Sequence, residues 1–188
     1  MTTTRVPRAR ILAAAIVLAV AAWSDVSPTR AATANTATDK RILADIQSRI
    51  LDARAGFFLD VEIDIVKGDV MLTGHVREAQ TKTRAAALIR SVSGVNTVVN
   101  EIRSERPPTL SRRSDQLETE RRISAALYRI FRKRLPAIAI RVVGDTAYIF
   151  GETSSQWVHS QVFKAVKKVK GVGRIVDHLH IAQSTRER

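Results

Sequence analysis

VEIDIVKGDVMLTGHV, residues 61–76, is the stretch that decides the fold. With the preceding Leu59 and Asp60, its first half alternates strictly. Leu59, Val61, Ile63 and Ile65 fall on one face, and Asp60, Glu62 and Asp64 on the other. Successive side chains of an extended chain point to opposite sides, so this is a strand with one buried and one solvated face. Lys67-Gly68-Asp69 makes a tight turn, and Val70 to Val76 returns as a second strand. Gly74 inside that strand marks a bulge or a close backbone approach. The three acids are read as the wet face of the sheet, not as a carboxylate pair for acid–base chemistry.

Working outward, Asp39 to about Arg54 places Leu43, Ile46 and Ile50 at helical spacing, with Gly56 ending the helix. Glu78 to Val92 is a second helix with Ala85, Leu88, Ile89 and Val92 inward, and Gly94 stands where a left-handed cap is wanted. A last strand runs from about Asn96 to Arg103.

The whole pattern then recurs 77 residues later. Ile46 pairs with Ile123, Ile63 with Ile140, Val66 with Val143, Gly74 with Gly151, Gly94 with Gly171 and Val99 with Val176. No insertion is needed. Chance similarity of two aliphatic stretches does not keep both glycines and the apolar pattern in phase. In the second copy a helix of about Gln116 to Leu135 points Ile123, Leu127 and Ile130 inward and is stopped by Pro136. Strands follow near 138–143 and 146–151, then a helix capped by Ser154 or Ser155 and closed by Gly171, and a final strand at about 173–181. The fold class is α+β: two tandem αββαβ domains, each a three-stranded mixed sheet packed by two helices. The domains span 39–103 and 115–181, with SERPPTLSRRS (104–114) as a linker and 182–188 as a tail.

This arrangement resembles the BON domain. The matching stretches are VEIDIVKGDVMLTGHV, TRAAALIRSVSGV and VVNEI in the first copy. In the second they are IAIRVVGDTAYIFGET, VFKAVKKVKGV and IVDHL. The second copy departs in placing its turn glycine at Gly144 and in having Asp177 where Asn100 stands. The resemblance implies a tandem-BON protein of the bacterial envelope, similar to periplasmic proteins induced by osmotic or envelope stress. It also implies phospholipid binding or an adaptor role, without catalysis.

The N-terminus agrees with export. Arg5, Arg8 and Arg10 precede an apolar run from Ile11 to Trp23, followed by small and polar residues. That is the pattern of a signal peptide, here residues 1–31, with cleavage after Ser24 or among Ala31 to Ala34 and a leader at 32–38. As a helix the run would cover about 20 Å, short of the ~30 Å hydrocarbon core, so an uncleaved anchor is the weaker reading. Localisation is expected to be periplasmic.

Charge distinguishes the copies. The chain has a net charge of +13. Residues 111–188 hold 16 Lys and Arg against 7 Asp and Glu, whereas residues 31–110 hold 11 against 10. Such a balance points to an anionic partner, and export makes that partner a membrane surface, not nucleic acid. The basic side chains sit on two helices with aromatic neighbours, the mix expected at a headgroup interface. The expected lipid-binding residues are Arg122, Tyr128, Arg129, Phe131, Arg132 and Lys133 on the first, and Trp157, Lys164, Lys167 and Lys168 on the second. The alternative is a protein-interaction adaptor or chaperone-like module, because edges of small sheets are natural pairing sites.

Catalytic patterns are missing. There is no cysteine, P-loop, dinucleotide fingerprint or nucleophile elbow. His178 and His180 share a strand face, but no motif links them to His75 or His159, so all four are read as surface histidines and no metal or other cofactor is expected.

Overall fold

The computed structural model describes residues 36–53, 58, 60–132 and 134–182. The stretch expected as a signal peptide, most of the expected leader, Gly56, Leu59, Lys133 and the tail beyond residue 182 lie outside the described residues. Each unit is a mixed three-stranded sheet with two helices on one face. In the first, α1 (Ala37–Asp52) precedes the hairpin β1 (Val61–Val66) and β2 (Asp69–Val76), then α2 (Ala79–Arg90). The third strand follows in two pieces, β3 (Val98–Asn100) and β4 (Arg103–Ser104). The second unit has α3 (Leu110–Phe131), β5 (Ala137–Val143), β6 (Thr146–Thr153), α4 (Gln156–Lys167) and an unbroken β7 (Arg174–Ile181). In both sheets the second strand is central, antiparallel to the first and parallel to the last.

The helix-facing side of each sheet carries a core that follows the sequence pattern. Ile42, Ile46, Ala85 and Ile89 close over Val61, Ile65, Val70 and Leu72. Ile123, Leu127, Val162 and Val166 close over Ile138, Ile140, Val142 and Ile149. Each such aliphatic side chain stabilises the fold by roughly 1.5–3 kcal/mol through burial. The central strands cross closely at Gly74 and Gly151, with φ of 110° and 123°. A Cβ there would run into the carbonyl oxygen of Asp60 or of Ala137. Gly94 and Gly171 are also left-handed.

Several boundaries differ from the sequence expectation. α3 begins at Leu110, so the second half of the stretch expected as a linker is helical. It ends at Phe131 rather than Leu135, because the chain turns at Arg132 into a left-handed conformation (φ 51°) before Pro136 is reached. The hairpin loop is Lys67-Gly68 alone, both residues at positive φ, and Asp69 already belongs to β2. At the break in the third strand of the first unit stands Asn100, whose side chain bonds partners on both sides. Its amide donates to the Lys82 carbonyl (2.9 Å), and its oxygen accepts from the Ile102 N–H (3.3 Å).

The larger correction concerns Asp60, Glu62 and Asp64, expected on a wet face. That face is covered by the other sheet. The two sheets pack against each other through Val66, Met71, Val143, Tyr148 and Phe150, joined by Val99, Ala137, Ala139 and Val176. The layers therefore run helix, sheet, sheet, helix. The physical reason is Arg141, which stands at the position of the second copy matching Asp64. Its guanidinium bonds Asp64 through Nε (2.7 Å) and Nη2 (2.8 Å), and Nε lies 2.8 Å from Glu62. The Arg141 and Asp64 side chains are only 15% and 11% exposed. Burial opposes the charge on Arg141, but Asp64, Glu62 and Glu120 more than offset this and hold its pKa above the ordinary arginine value. Arg113 pairs with Asp60, and Lys67 with Glu152. His178 Nε2 lies 2.8 Å from Glu101, again 77 residues apart. A residue and its repeat-related counterpart touch only where an axis relating the two units passes between them. The seam thus has approximate twofold symmetry, like an isologous dimer interface formed within one chain.

His75 on β2 faces this seam and is 8% exposed, with Nε2 3.4 Å from Glu105. Burial lowers its pKa below the ordinary histidine value. Glu105 opposes the shift and Arg103 adds to it.

Three outcomes are expected. Gly74→Ala should destabilise the protein by about 2–3 kcal/mol in chemical denaturation, since the strand crossing admits neither the Cβ nor its preferred φ. Asp64→Ala should cost about 3 kcal/mol by stranding part of a buried guanidinium charge, whereas a loss under about 0.5 kcal/mol would show that Glu62 suffices. The folded state binds the His75 proton less readily than the unfolded chain does. Its contribution is therefore complete above the unfolded pKa of about 6.5 and lost as pH falls through the lower folded value. His75→Gln should flatten the acid limb of a melting-temperature profile between about pH 7 and 5, and an unchanged limb would clear His75 of that role.

Candidate functional site

α3 and α4 form the outer layer of the second unit. α3 buries Thr119, Glu120, Ile123 and Leu127. α4, capped by the Ser155 hydroxyl accepting from the Val158 N–H, buries Val162, Ala165 and Val166. Their periodicity leaves the intervening basic positions outside. Where the two helices meet, Arg122, Arg129, Lys168 and Lys170 rim an open, shallow groove of about 400 Å³ floored by Ala126, Ile130, Ala165 and Val169. Ile130, expected in the core, lies in this floor and is 43% exposed. Phe131, expected beside the basic face as an interfacial ring, instead packs half-buried against the second core. Both follow from the i, i+4 stripe of Ile123 and Leu127, which continues to Phe131 and leaves Ile130 beside it.

The other expected residues are not among those lining the groove. Arg132 caps α3, and Tyr128 and Trp157 are 58% and 64% exposed. Lys164 and Lys167 occupy the last turn of α4, where the negative end of the helix dipole favours cations. Lys170, not singled out in the sequence, joins the rim. Its signal was present in the run KKVKG at 167–171 but extends beyond the helix proper. Arg122 is held in place by Glu118, with Nε 3.2 Å away, and by the Lys170 carbonyl at 3.5 Å. Among the described residues, no ion pair engages Arg129, Arg132, Lys164, Lys167, Lys168 or Lys170. The seam cations Lys67, Arg113 and Arg141 all have carboxylate partners. The first unit lacks cations at the positions that match the groove rim. The positions matching Arg122 and Arg129 are Asp45 and Asp52, and those matching Lys168 and Lys170 are Ser91 and Ser93.

Of the four histidines expected at the surface, His180 is exposed, whereas the other three have carboxylate neighbours. His75 and His178 belong to the seam, and His159 Nε2 lies 2.9 Å from Asp177. That last contact does for the second unit what Asn100 does for the first, tying helix to edge strand at matching positions. Among the described residues, no three His, Asp or Glu side chains gather as a metal site, and no helix is long and apolar enough to cross a membrane.

Comparison with known proteins places these features. A relative from Anaplasma centrale, described as an uncharacterized protein in the gshII 5′ region, is 26% identical over 147 residues, covering 78% of this chain and 96% of its own. Two structures of CdsD, a structural protein of the type III secretion system of Chlamydia trachomatis, cover 76% of the chain. They are 13% and 11% identical, cover 94% and 98% of their own chains, and have TM-scores of 0.31 and 0.33, too low to transfer fold or function. The BON domain family matches residues 38–106, which span the first αββαβ unit. The first unit is thus similar to the BON domain.

Proposed function

We propose that the chain is a periplasmic tandem-BON protein of the stress-responsive envelope type, which docks reversibly on anionic phospholipid surfaces through its second unit. The observation that carries this reading is the groove between α3 and α4. Four cations rim an apolar floor there, and three of them have no ion-pair partner among the described residues. Arginine forks and lysine ammonium groups suit phosphate oxygens. The apolar floor and the exposed Tyr128 and Trp157 suit the boundary between headgroups and acyl chains. The groove is too shallow to extract a lipid from the bilayer, so the fitting role is surface attachment. Each basic residue near an anionic leaflet contributes about 1 kcal/mol at moderate salt, so four to six hold a protein reversibly.

Flotation with vesicles of phosphatidylcholine alone, or with added phosphatidylglycerol, tests this. Binding is expected only with the anionic lipid and should weaken as salt rises. Arg129→Gln with Lys168→Gln should reduce it about 30-fold, from the loss of about 2 kcal/mol. Equal recovery on both vesicle types, or full binding by the double variant, would overturn the reading.

A further inference from the structure

Each sheet ends in a strand with one neighbour: β3 and β4 in the first unit, β7 in the second. Such an edge presents a row of N–H and C=O groups on which another strand can add. On β7 the N–H groups of Arg174 and Ala182 turn inward, to the carbonyls of Asp145 (3.2 Å) and Thr153 (2.7 Å) on the β6 side. Backbone groups alternate in direction along a strand, so those of Ile175, Asp177, Leu179 and Ile181 point away from β6. The outward N–H of Leu179 is already taken: it donates to Asp177 Oδ1 at 3.0 Å. The first unit does the same at the matching positions, where the Ile102 N–H donates to Asn100 Oδ1 at 3.3 Å. That N–H points outward too, because its neighbour on Glu101 turns inward to the Leu72 carbonyl of β2 (2.8 Å). A bond of this kind competes directly with ladder formation. In both units a helix holds the second polar atom of the capping side chain. Asn100 Nδ2 donates to the Lys82 carbonyl, and Asp177 Oδ2 lies 2.9 Å from His159 Nε2. Lys82 and His159 also stand at matching positions.

The opposite edges are covered by carboxylates from the helices. The Lys67 N–H just past β1 donates to Asp39 of α1 (3.2 Å), and the Val142 N–H of β5 to Glu120 of α3 (2.7 Å). The edge formed by β3 and β4 is also blunted by its break, whereas β7 runs unbroken for 8 residues without a proline. We propose that Asp177, and Asn100 in the first unit, are edge guards that close the last strand of each sheet to pairing with a second copy of this chain. A second copy is the partner excluded because it brings an identical β7. Two such strands pair antiparallel about a twofold axis, a contact that closes on itself. To add there, the incoming strand must displace a carboxylate from the Leu179 N–H and set its own carbonyl beside that charge. The guard acts whatever the outer groove binds.

Sedimentation of the full chain over a range of concentrations tests it. Wild type and Asp177→Asn, which keeps the acceptor used in the first unit, are expected to sediment alike. Asp177→Ala is expected to approach twice their mass as concentration rises. Adding Ile181→Pro to Asp177→Ala removes one outward N–H and should return the mass toward that of wild type. Asp177→Ala at the wild-type mass throughout, Asp177→Asn associating as Asp177→Ala does, or a double variant no less dimeric than Asp177→Ala overturns the guard. In wild type, amide exchange corrected for intrinsic rates should be at least about tenfold slower at Leu179 than at the outward Ile175 and Ile181, and equal rates overturn it. Should the alanine variant fail to fold, the exchange measurement decides.

Discussion

Arg141 is the interaction on which the rest of the architecture depends. One guanidinium lies between two sheets and is met by Asp64, Glu62 and, farther off, Glu120. A buried ion pair adds little net stability over a well-packed apolar alternative, but it strongly penalises arrangements that leave it unpaired. Its contribution here is specificity. Because Asp64 and Arg141 occupy equivalent positions of the repeat, pairing two first units would set aspartate against aspartate, and pairing two second units arginine against arginine. Only first with second satisfies both charges, which is discrimination through the repulsive alternatives. The apolar partners of the seam, Val66 with Val143 and Val99 with Val176, are indifferent to that choice, so the charges make it.

The units themselves were legible because their cores repeat. Alternation in β1 and helical spacing around Ile46 and Ile123 depend only on which face is apolar, and that survives in the sequence. What covers the second face of a sheet does not. Period-two alternation of Asp60, Glu62 and Asp64 says that they share a side, and water or another sheet is an equally good environment if cations stand opposite. The available signal was the opposite charge at matching positions, Asp64 against Arg141 and Glu101 against His178. It becomes readable once the repeat is taken as a candidate twofold. The candidate site was legible as two basic helices but not as a groove. Ile130 and Phe131 exchanged their expected places because the buried stripe steps by four, from Ile123 to Leu127 to Phe131, where a step of three from Leu127 had been read. Lys170 lies past the last turn of α4, where helical spacing no longer applies.

The seam also gathers the groups that respond to acidity, and they pull in opposite directions. His75 is buried where protonation is disfavoured, so acid weakens its contribution. Glu120 is buried where ionisation is disfavoured, so base weakens its own. Both follow from one cause, the loss of water from a polar layer between two sheets. A seam built only from valines and aromatics would be insensitive to pH in this range.

The same layer shapes the outer surface. Acids of the first unit that face the seam, Asp60, Glu62 and Asp64, are used there on Arg113 and Arg141, so they do not offset the cations on the far side of the second unit. An approximate twofold turns equivalent helix layers to opposite sides of the molecule. One side presents Arg122, Arg129, Lys168 and Lys170; the other, at matching positions, presents Asp45, Asp52, Ser91 and Ser93. The helix layer of the first unit still exposes Lys40, Arg41, Arg49, Arg84 and Arg90, so the two layers differ in where cations cluster, not in sign. The duplication therefore yields a scaffold of two matched cores, while the divergence of four surface positions gathers cations around the groove of the second.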